Sequence, residues 1–254
     1  RALQQFAEAW QLPVGCGFRF QDTFDNRHGL YAGDVGIGIN PKLAARVQAA
    51  DLILAIGVRL GEMTTGGYTS LVAPRPIQKL VHLHAGAEEL GRVYAADLLL
   101  QCSLAKAGQA LATLEPPAGL PRWADWAAAA HADYELNHES PPVAPLDMAQ
   151  VVKTVQRLAP PDTVYTNGAG NFASWMHRFF RYSGLAKGFK TQLAPTNGAM
   201  GYGVPAGIAA AITSKPSPSA AGQGRVVFTI AGDGDFLMNG QELATAVQHG
   251  AKTI

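Results

Sequence analysis

The sequence predicts an α/β protein built from two doubly wound parallel-sheet domains. Three observations predict this. Short apolar runs alternate with stretches of helical periodicity along most of the chain. The best strand candidates are apolar along their whole length, as suits strands covered by helices on both faces. Two proline clusters, at 116–121 and 141–145, divide the alternation into two series.

The first series opens with a helix over 2–11, because Leu3, Phe6, Ala7 and Trp10 recur at helical spacing. Pro13 stops it, and 13–18 reads as a short strand. Residues 22–41, rich in Gly, Asp and Asn, read as an ordered loop. Its charged and aromatic start, DTFDNRH at 22–28, reads as a capped turn, with an approach to a substrate channel as the alternative. A helix over 42–50 leads into DLILAIGV, 51–58, an unbroken apolar run suited to a strand buried on both faces. The pattern repeats at 80–84 and 96–102, and a helix follows over 103–114. The Trp- and Ala-rich stretch 122–138 reads as a connecting helix. The expected division is a first domain over 1–120, a linker over 121–146 and a second domain over 147–254.

In the second series, helices are expected over 148–158, 172–180, 203–212 and 241–249, and strands over 163–166 and 225–231. Residues 252–254 read as the start of another strand. SKPSPSAAGQG, 214–224, reads as a mobile surface loop. No repeat of solenoid period is present.

Composition narrows the function classes. The 254 residues suffice for two domains, and 48% hydrophobic with 15% charged content implies large buried cores and excludes a disordered chain. A formal net charge of +1 provides no strong field for nucleic acid or a membrane surface. No apolar run reaches the roughly 18–20 residues of a membrane span, and no signal peptide opens the chain. The two cysteines, Cys16 and Cys102, lie too far apart in sequence for a disulfide framework or a zinc motif. Reduced thiols and a cytoplasmic location are expected.

Two segments carry the chemistry. In VVFTIAGDGDFLMNGQELATAVQH, 226–249, a β-branched and aromatic strand runs straight into Gly232, Asp233, Gly234 and Asp235. Ligands of open parallel sheets sit beyond the carboxyl ends of strands, so Asp233 is presented where a ligand would bind. The flanking glycines let backbone approach an anion. A carboxylate beside such a site suits Mg²⁺ bridging a diphosphate. Alone, this motif reads as a turn. In TNGAMGYGVPAGIAAA, 196–211, glycines at 198, 201, 203 and 207 open onto a small-residue helix, leaving room for a ligand or for another backbone. By local pattern Met200 reads as a core methionine filling a gap, with an apolar support for a ligand as the alternative.

Together these segments resemble the diphosphate-binding half of thiamine-diphosphate (ThDP) enzymes of the acetolactate synthase-like group. The resemblance extends upstream through Tyr31-Ala32-Gly33, Asn40-Pro41, DLILAIGVRL and the strand at Val81, which are similar to the family's Rossmann-like middle domain. It covers nearly the whole chain, and it implies a family fold truncated at both ends.

The resemblance implies roles residue by residue. Asp233 is similar to the Mg²⁺-binding aspartate. Gly232, Gly234 and Asp235 fall where the diphosphate is met, although the family commonly has a small residue at 235. Gly198 resembles the residue whose carbonyl accepts a hydrogen bond from the aminopyrimidine, and Met200 the one that holds ThDP bent. Ala169, Gly170 and Asn171, between a strand and a helix, resemble the other diphosphate-contacting turn. The implied activity is carboligation of 2-oxo acids with ThDP and Mg²⁺, decarboxylation preceding C–C bond formation. Glyoxylate carboligase and benzoylformate decarboxylase types stay open, as does a non-catalytic scaffold, against which the intact motifs count. A plain nucleotide-binding domain is disfavoured, since no GxGxxG turn with an acidic residue about 20 positions on is present.

The activating glutamate of the family lies in an upstream domain, and a second metal residue, an asparagine, lies past Ile254. No catalytic residue is therefore expected within these 254 residues, and the chain alone is expected to be inactive. The family implies a homodimer or homotetramer. FAD stays open beside an empty middle-domain site: Arg59 matches the arginine of FAD-bearing members, but Ala85 and Ala87 stand where acidic residues would be expected. His82 and His84 alternate along a strand, and a structural role is expected for both.

Overall fold

The computed structural model describes residues 1–183, 188, 190–214 and 224–254. These fall into two compact units, one formed by Arg1–Phe18 and His28–Asn137, the other by Arg19–Arg27 and His138–Ile254. All strand pairing is parallel, and the α/β class follows. Among the described residues, no helix is long and apolar enough to cross a membrane.

The first unit runs α1 (Ala2–Trp10), β1 (Val14–Cys16), β2 (Tyr31–Asp34), α2 (Pro41–Ala49), β3 (Leu52–Ile56), β4 (Lys79–His84), β5 (Leu98–Gln101), α3 (Leu104–Leu111) and α4 (Ala124–Asn137). β1 pairs with β2, and a second sheet has the order β3-β4-β5. Part of the expected loop over 22–41 is thus a strand. β2 is only four residues long and contains Gly33 at φ +121°, so it carries little strand signal. The pairing with β1 and the burial of Tyr31 and Ala32 hold it in place. Asn40 caps α2 by accepting from the Lys42 amide at 3.0 Å, with Pro41 in the first turn.

The expected connecting helix, α4, packs against β2 and is an integral part of this unit. Asp133 pairs with Lys42 at 2.7 Å and Arg46 at 2.6 Å, which hold its carboxyl below the usual range. Ala130 joins Ala32 and Leu43 in one core cluster. Full burial, expected of all three strands of the second sheet, is met only in part. Leu80, His82 and Leu83 of the central β4 are buried, but Leu98, Leu99 and Leu100 are 48%, 44% and 39% exposed. Among the described residues, β5 is an edge strand that pairs with β4 alone.

The second unit runs α5 (Met148–Leu158), β6 (Val164–Asn167), α6 (Ala173–Phe179), β7 (Gln192–Leu193), α7 (Gly203–Thr213), β8 (Val227–Ile230), α8 (Asp233–Asn239) and α9 (Leu243–Gln248). Its sheet has the order β7-β6-β8, with β6 buried throughout. Asp147 caps α5 through the amides of Ala149 and Gln150. The core gathers Val152, Tyr165, Met176, Phe179, Phe180 and Tyr182. Past β8 the ladder continues, since Ile254 donates to Val227 O at 3.0 Å and accepts from Thr229 N at 2.7 Å. The loop expected over 214–224 falls largely on 215–223, outside the described residues.

Residues 19–27 form a strap on this unit. Asp22 is fully buried, and its carboxylate accepts from Lys190 Nζ at 2.6 Å and from the amides of Thr191 and Gln192 at 3.0 Å each. Asn26 closes the capped turn by donating to Gln21 O and Phe24 O. These bonds order β7, a two-residue strand with no signature of its own.

Candidate cofactor-binding site

β6 lies between β7 and β8, so the strands that follow it are laid down on its two opposite sides, and the sheet has its switch point at the carboxyl end of β6. Three segments meet there: 167–171 after β6, 198–201 before α7, and 231–235 after β8. The amide of Gly168 reaches Ile230 O at 3.4 Å. α7 begins hard against both strand ends. A Cβ on Gly203 would lie 2.6 Å from Gly168 N, 2.9 Å from Asn167 C and 3.2 Å from Ile230 O. One turn on, a Cβ on Gly207 would lie 2.0 Å from Thr229 Oγ1. Of the two uses open to these glycines, the structure shows close approach of helix to sheet.

The Gly232–Asp235 segment, expected as a turn, is the N-cap and first turn of α8. Gly234 disfavours helix, by at most about 1 kcal/mol, whereas glycine is accepted at the N-cap and acidic residues suit a helix start. Asp233 is the first helical residue and is exposed. Met200 is 44% exposed, so it fills no core gap. Its Cε would lie 3.4 Å from a Cβ on Gly234, which puts Met200 beside the start of α8. Gly198 takes the left-handed region, at φ +75°, in a turn closed by its amide on Pro195 O at 3.1 Å.

Asp235, expected beside a diphosphate, turns inward and is 2% exposed. Its Oδ1 accepts from Gly201 N at 2.7 Å and from Ala169 N at 3.2 Å, joining the two other segments. Ala169 is buried and Asn171 exposed. Gly170 and Gly232 are brought together by the Phe172 ring, since a Cβ on either would come within 2.9 Å of it.

Three residues of the site have no counterpart in the sequence reading. Asn239 donates to Gly201 O at 2.7 Å. Phe172 spans Gly170 and Gly232. Arg19, from the strap, is 6% exposed and donates to Pro195 O below the 198–201 segment. Burial lowers the pKa of its guanidinium, and the charge of Asp235 works against that. Burial also takes His177 down to about 4, with the Arg19 charge pushing the same way. Only the Asn239 spacing, one helical turn after Asp235, was open to a sequence signal.

In the first unit His82 Nε2 lies 3.0 Å from Val58 O, and His84 Nδ1 accepts from Gly86 N at 3.0 Å. Both rings are engaged by backbone, in keeping with structural roles. Arg59 pairs with Glu89 at 3.2 Å. Among the described residues no group of three or more His, Cys, Asp or Glu side chains is placed to hold a metal.

Comparison with known proteins bears on both units. Residues 1–112 match the model described as thiamine pyrophosphate enzyme, central domain, and residues 168–254 match that of the C-terminal TPP binding domain. The acetolactate synthase large subunit of Corynebacterium glutamicum is 26% identical over 98% of this chain and 38% of its own length. For acetolactate synthase isozyme 2 large subunit of Escherichia coli the figures are 26%, 96% and 41%. For the acetolactate synthase large subunit of Parasynechococcus marenigrum they are 29%, 98% and 38%. The chain spans about two fifths of the length of the curated relatives it matches. With a central-domain match followed by a TPP-binding-domain match, the chain carries domains of the thiamine pyrophosphate enzymes, and it is similar to acetolactate synthases along nearly its whole length.

Proposed function

We propose that the protein carrying this chain is a ThDP- and Mg²⁺-dependent enzyme of acetolactate synthase type, joining the carbon unit left by decarboxylation of one 2-oxo acid to a second carbonyl compound. The observation that carries this reading is the placement of an exposed carboxylate, Asp233, a Cβ-free Gly234 and an exposed thioether, Met200, side by side at the switch point. Those residues fit the cofactor. Mg²⁺ prefers few carboxylates plus phosphate oxygens, and Asp233 offers one. Gly232 and Gly234 offer backbone that an anion can approach. Met200 offers apolar support for a ring, and Gly198 a carbonyl for the aminopyrimidine. Ala169, Gly170 and Asn171 supply the second turn toward the diphosphate.

When bound, ThDP supplies the nucleophilic carbon and the electron sink that 2-oxo-acid chemistry needs. The residues of this chain bind and orient it. The names of the relatives favour acetolactate synthase chemistry over the glyoxylate carboligase and benzoylformate decarboxylase types. An exposed Met200 beside an open Gly234 favours ligand binding over a scaffold role. FAD forms no part of the proposal. The resemblance supports a homodimer or homotetramer as the assembled form.

The test is calorimetric titration of the protein with ThDP, with and without Mg²⁺, beside Asp233→Ala. Mg²⁺-dependent binding that the variant loses, at an unchanged melting temperature, is the expected result. Absence of binding by the folded wild-type protein would overturn the proposal.

A further inference from the structure

Asp235 and Asn239 lie four residues apart on α8 and share one face. Both act on the same residue from opposite ends. Asp235 Oδ1 accepts the Gly201 amide, and Asn239 Nδ2 donates to the Gly201 carbonyl, each at 2.7 Å. Gly201 is fitted closely: its φ is +83°, and a Cβ there would lie 2.7 Å from Asn239 Nδ2 and 3.0 Å from Met238 Cβ. The same Asp235 oxygen accepts the Ala169 amide, while a Cβ on Gly168 would meet it at 1.9 Å. A buried carboxylate is costly unless its surroundings compensate. Here two amides on Oδ1 and the attraction of the buried Arg19 offset part of that cost, while Oδ2 is buried without a hydrogen-bond partner among the described residues.

We propose that Asp235 and Asn239 are positioning residues, a two-point clamp that fixes the 198–201 segment to the helix whose first residue is Asp233. The clamp sets Met200 and the Gly198 carbonyl relative to Asp233, and through Ala169 it holds the 168–171 turn to the same helix. Asp235 thus acts on cofactor through the loops it holds, and direct contact with diphosphate or metal is left to Asp233 and backbone. This rests on the ThDP reading given above.

Amide hydrogen exchange and ThDP calorimetry on wild type, Asp235→Ser, Asp235→Asn and Asn239→Ala test it. Serine is too short to replace the carboxylate. Exchange at Ala169 and Gly201 is expected to rise roughly tenfold or more, as loss of a hydrogen bond to a charged acceptor implies. ThDP affinity should fall, with the ratio of affinities with and without Mg²⁺ preserved. Asparagine keeps an acceptor in place and should hold both amides near wild-type exchange, which separates a lost clamp from a lost fold. Asn239→Ala should weaken ThDP binding and leave Ala169 exchange unchanged. Unchanged exchange in Asp235→Ser would overturn the clamp. So would Asp235→Asn losing Mg²⁺-dependent binding with both amides still protected, since Asp235 would then be a direct ligand. If wild type binds no ThDP while Asp235→Ser still frees both amides, the proposed function fails and the clamp loses its cofactor role, though its structural part survives.

Discussion

Replacing Gly203 with alanine puts a methyl group where three backbone atoms already stand, 2.6, 2.9 and 3.2 Å away. Non-bonded carbons settle at about 3.5–4.0 Å, so the start of α7 must lift by roughly 1 Å. The obstructing atoms belong to the ends of β6 and β8, and no flexible side chain can yield in their place. Overpacking of this kind costs about 1–3 kcal/mol. Alanine's better helix propensity returns at most about 1 kcal/mol, and less in a first turn. A net loss of about 1–2 kcal/mol, at about 2–4 °C per kcal/mol for a protein of this size, lowers the melting temperature by about 2–8 °C. Because the 198–201 segment leads directly into α7, ThDP affinity falls with it. Gly234→Ala is the control. Its Cβ would make an ordinary 3.4 Å contact with the mobile end of Met200, so the fold should tolerate it. The methyl nevertheless occupies the space assigned to cofactor, so binding should drop while melting stays at or above the wild-type value. Differential scanning calorimetry and ThDP titration read both variants. A Gly203→Ala protein as stable as wild type would refute the packing argument, and a Gly234→Ala protein that binds ThDP normally would refute the site assignment.

Two further predictions concern the second unit. Asp22→Ala leaves Lys190 and the amides of Thr191 and Gln192 without their buried acceptor. With two buried amides left unsatisfied at about 1–3 kcal/mol each, it should lose about 2–6 kcal/mol in denaturant titrations, and a loss under about 1 kcal/mol would contradict the role given to the strap. His177 is held neutral, with its pKa taken from 6.5 down to about 4. Between these values the unfolded chain binds the proton that the folded chain refuses, so stability is full above pH 6.5 and declines as pH falls toward 4. The decline should amount to about 3 kcal/mol at most. His177→Phe should flatten that slope in urea titrations from pH 7 to 4.5, and an unchanged slope would assign the acid sensitivity elsewhere.

Legibility in the sequence followed the range of the forces involved. β8 and the Gly232–Gly234 motif were readable because a continuous β-branched run and a glycine pair are local signals. β2 and β7 were not readable, since four and two residues carry no periodicity and their order comes from distant partners. α8 was read as a turn because glycine opposes helix, and its anchorage through Asp235 and Asn239 is tertiary. The leucines of β5 carried the signal of a buried strand, but an edge position leaves them exposed. At the site, the glycine-rich and acidic motifs are local signals that single out 198, 200, 233 and 234 as candidates. The inward turn of Asp235 and the arrival of Arg19 depend on contacts across 34 and 176 residues.

The strap has a consequence for how this protein can be divided. Between Phe18 and His28 the chain leaves one unit, contributes nine residues to the other and returns, so no single cut yields two complete pieces. A fragment beginning at His138 would lack Asp22 and Arg19, and the amides of Thr191 and Gln192, at the start of β7, would lose their acceptor. Exchange of the C-terminal half between relatives at that junction would therefore transfer an interrupted core. The nine-residue strap and the half it completes must change together, and the inheritable module is discontinuous in sequence.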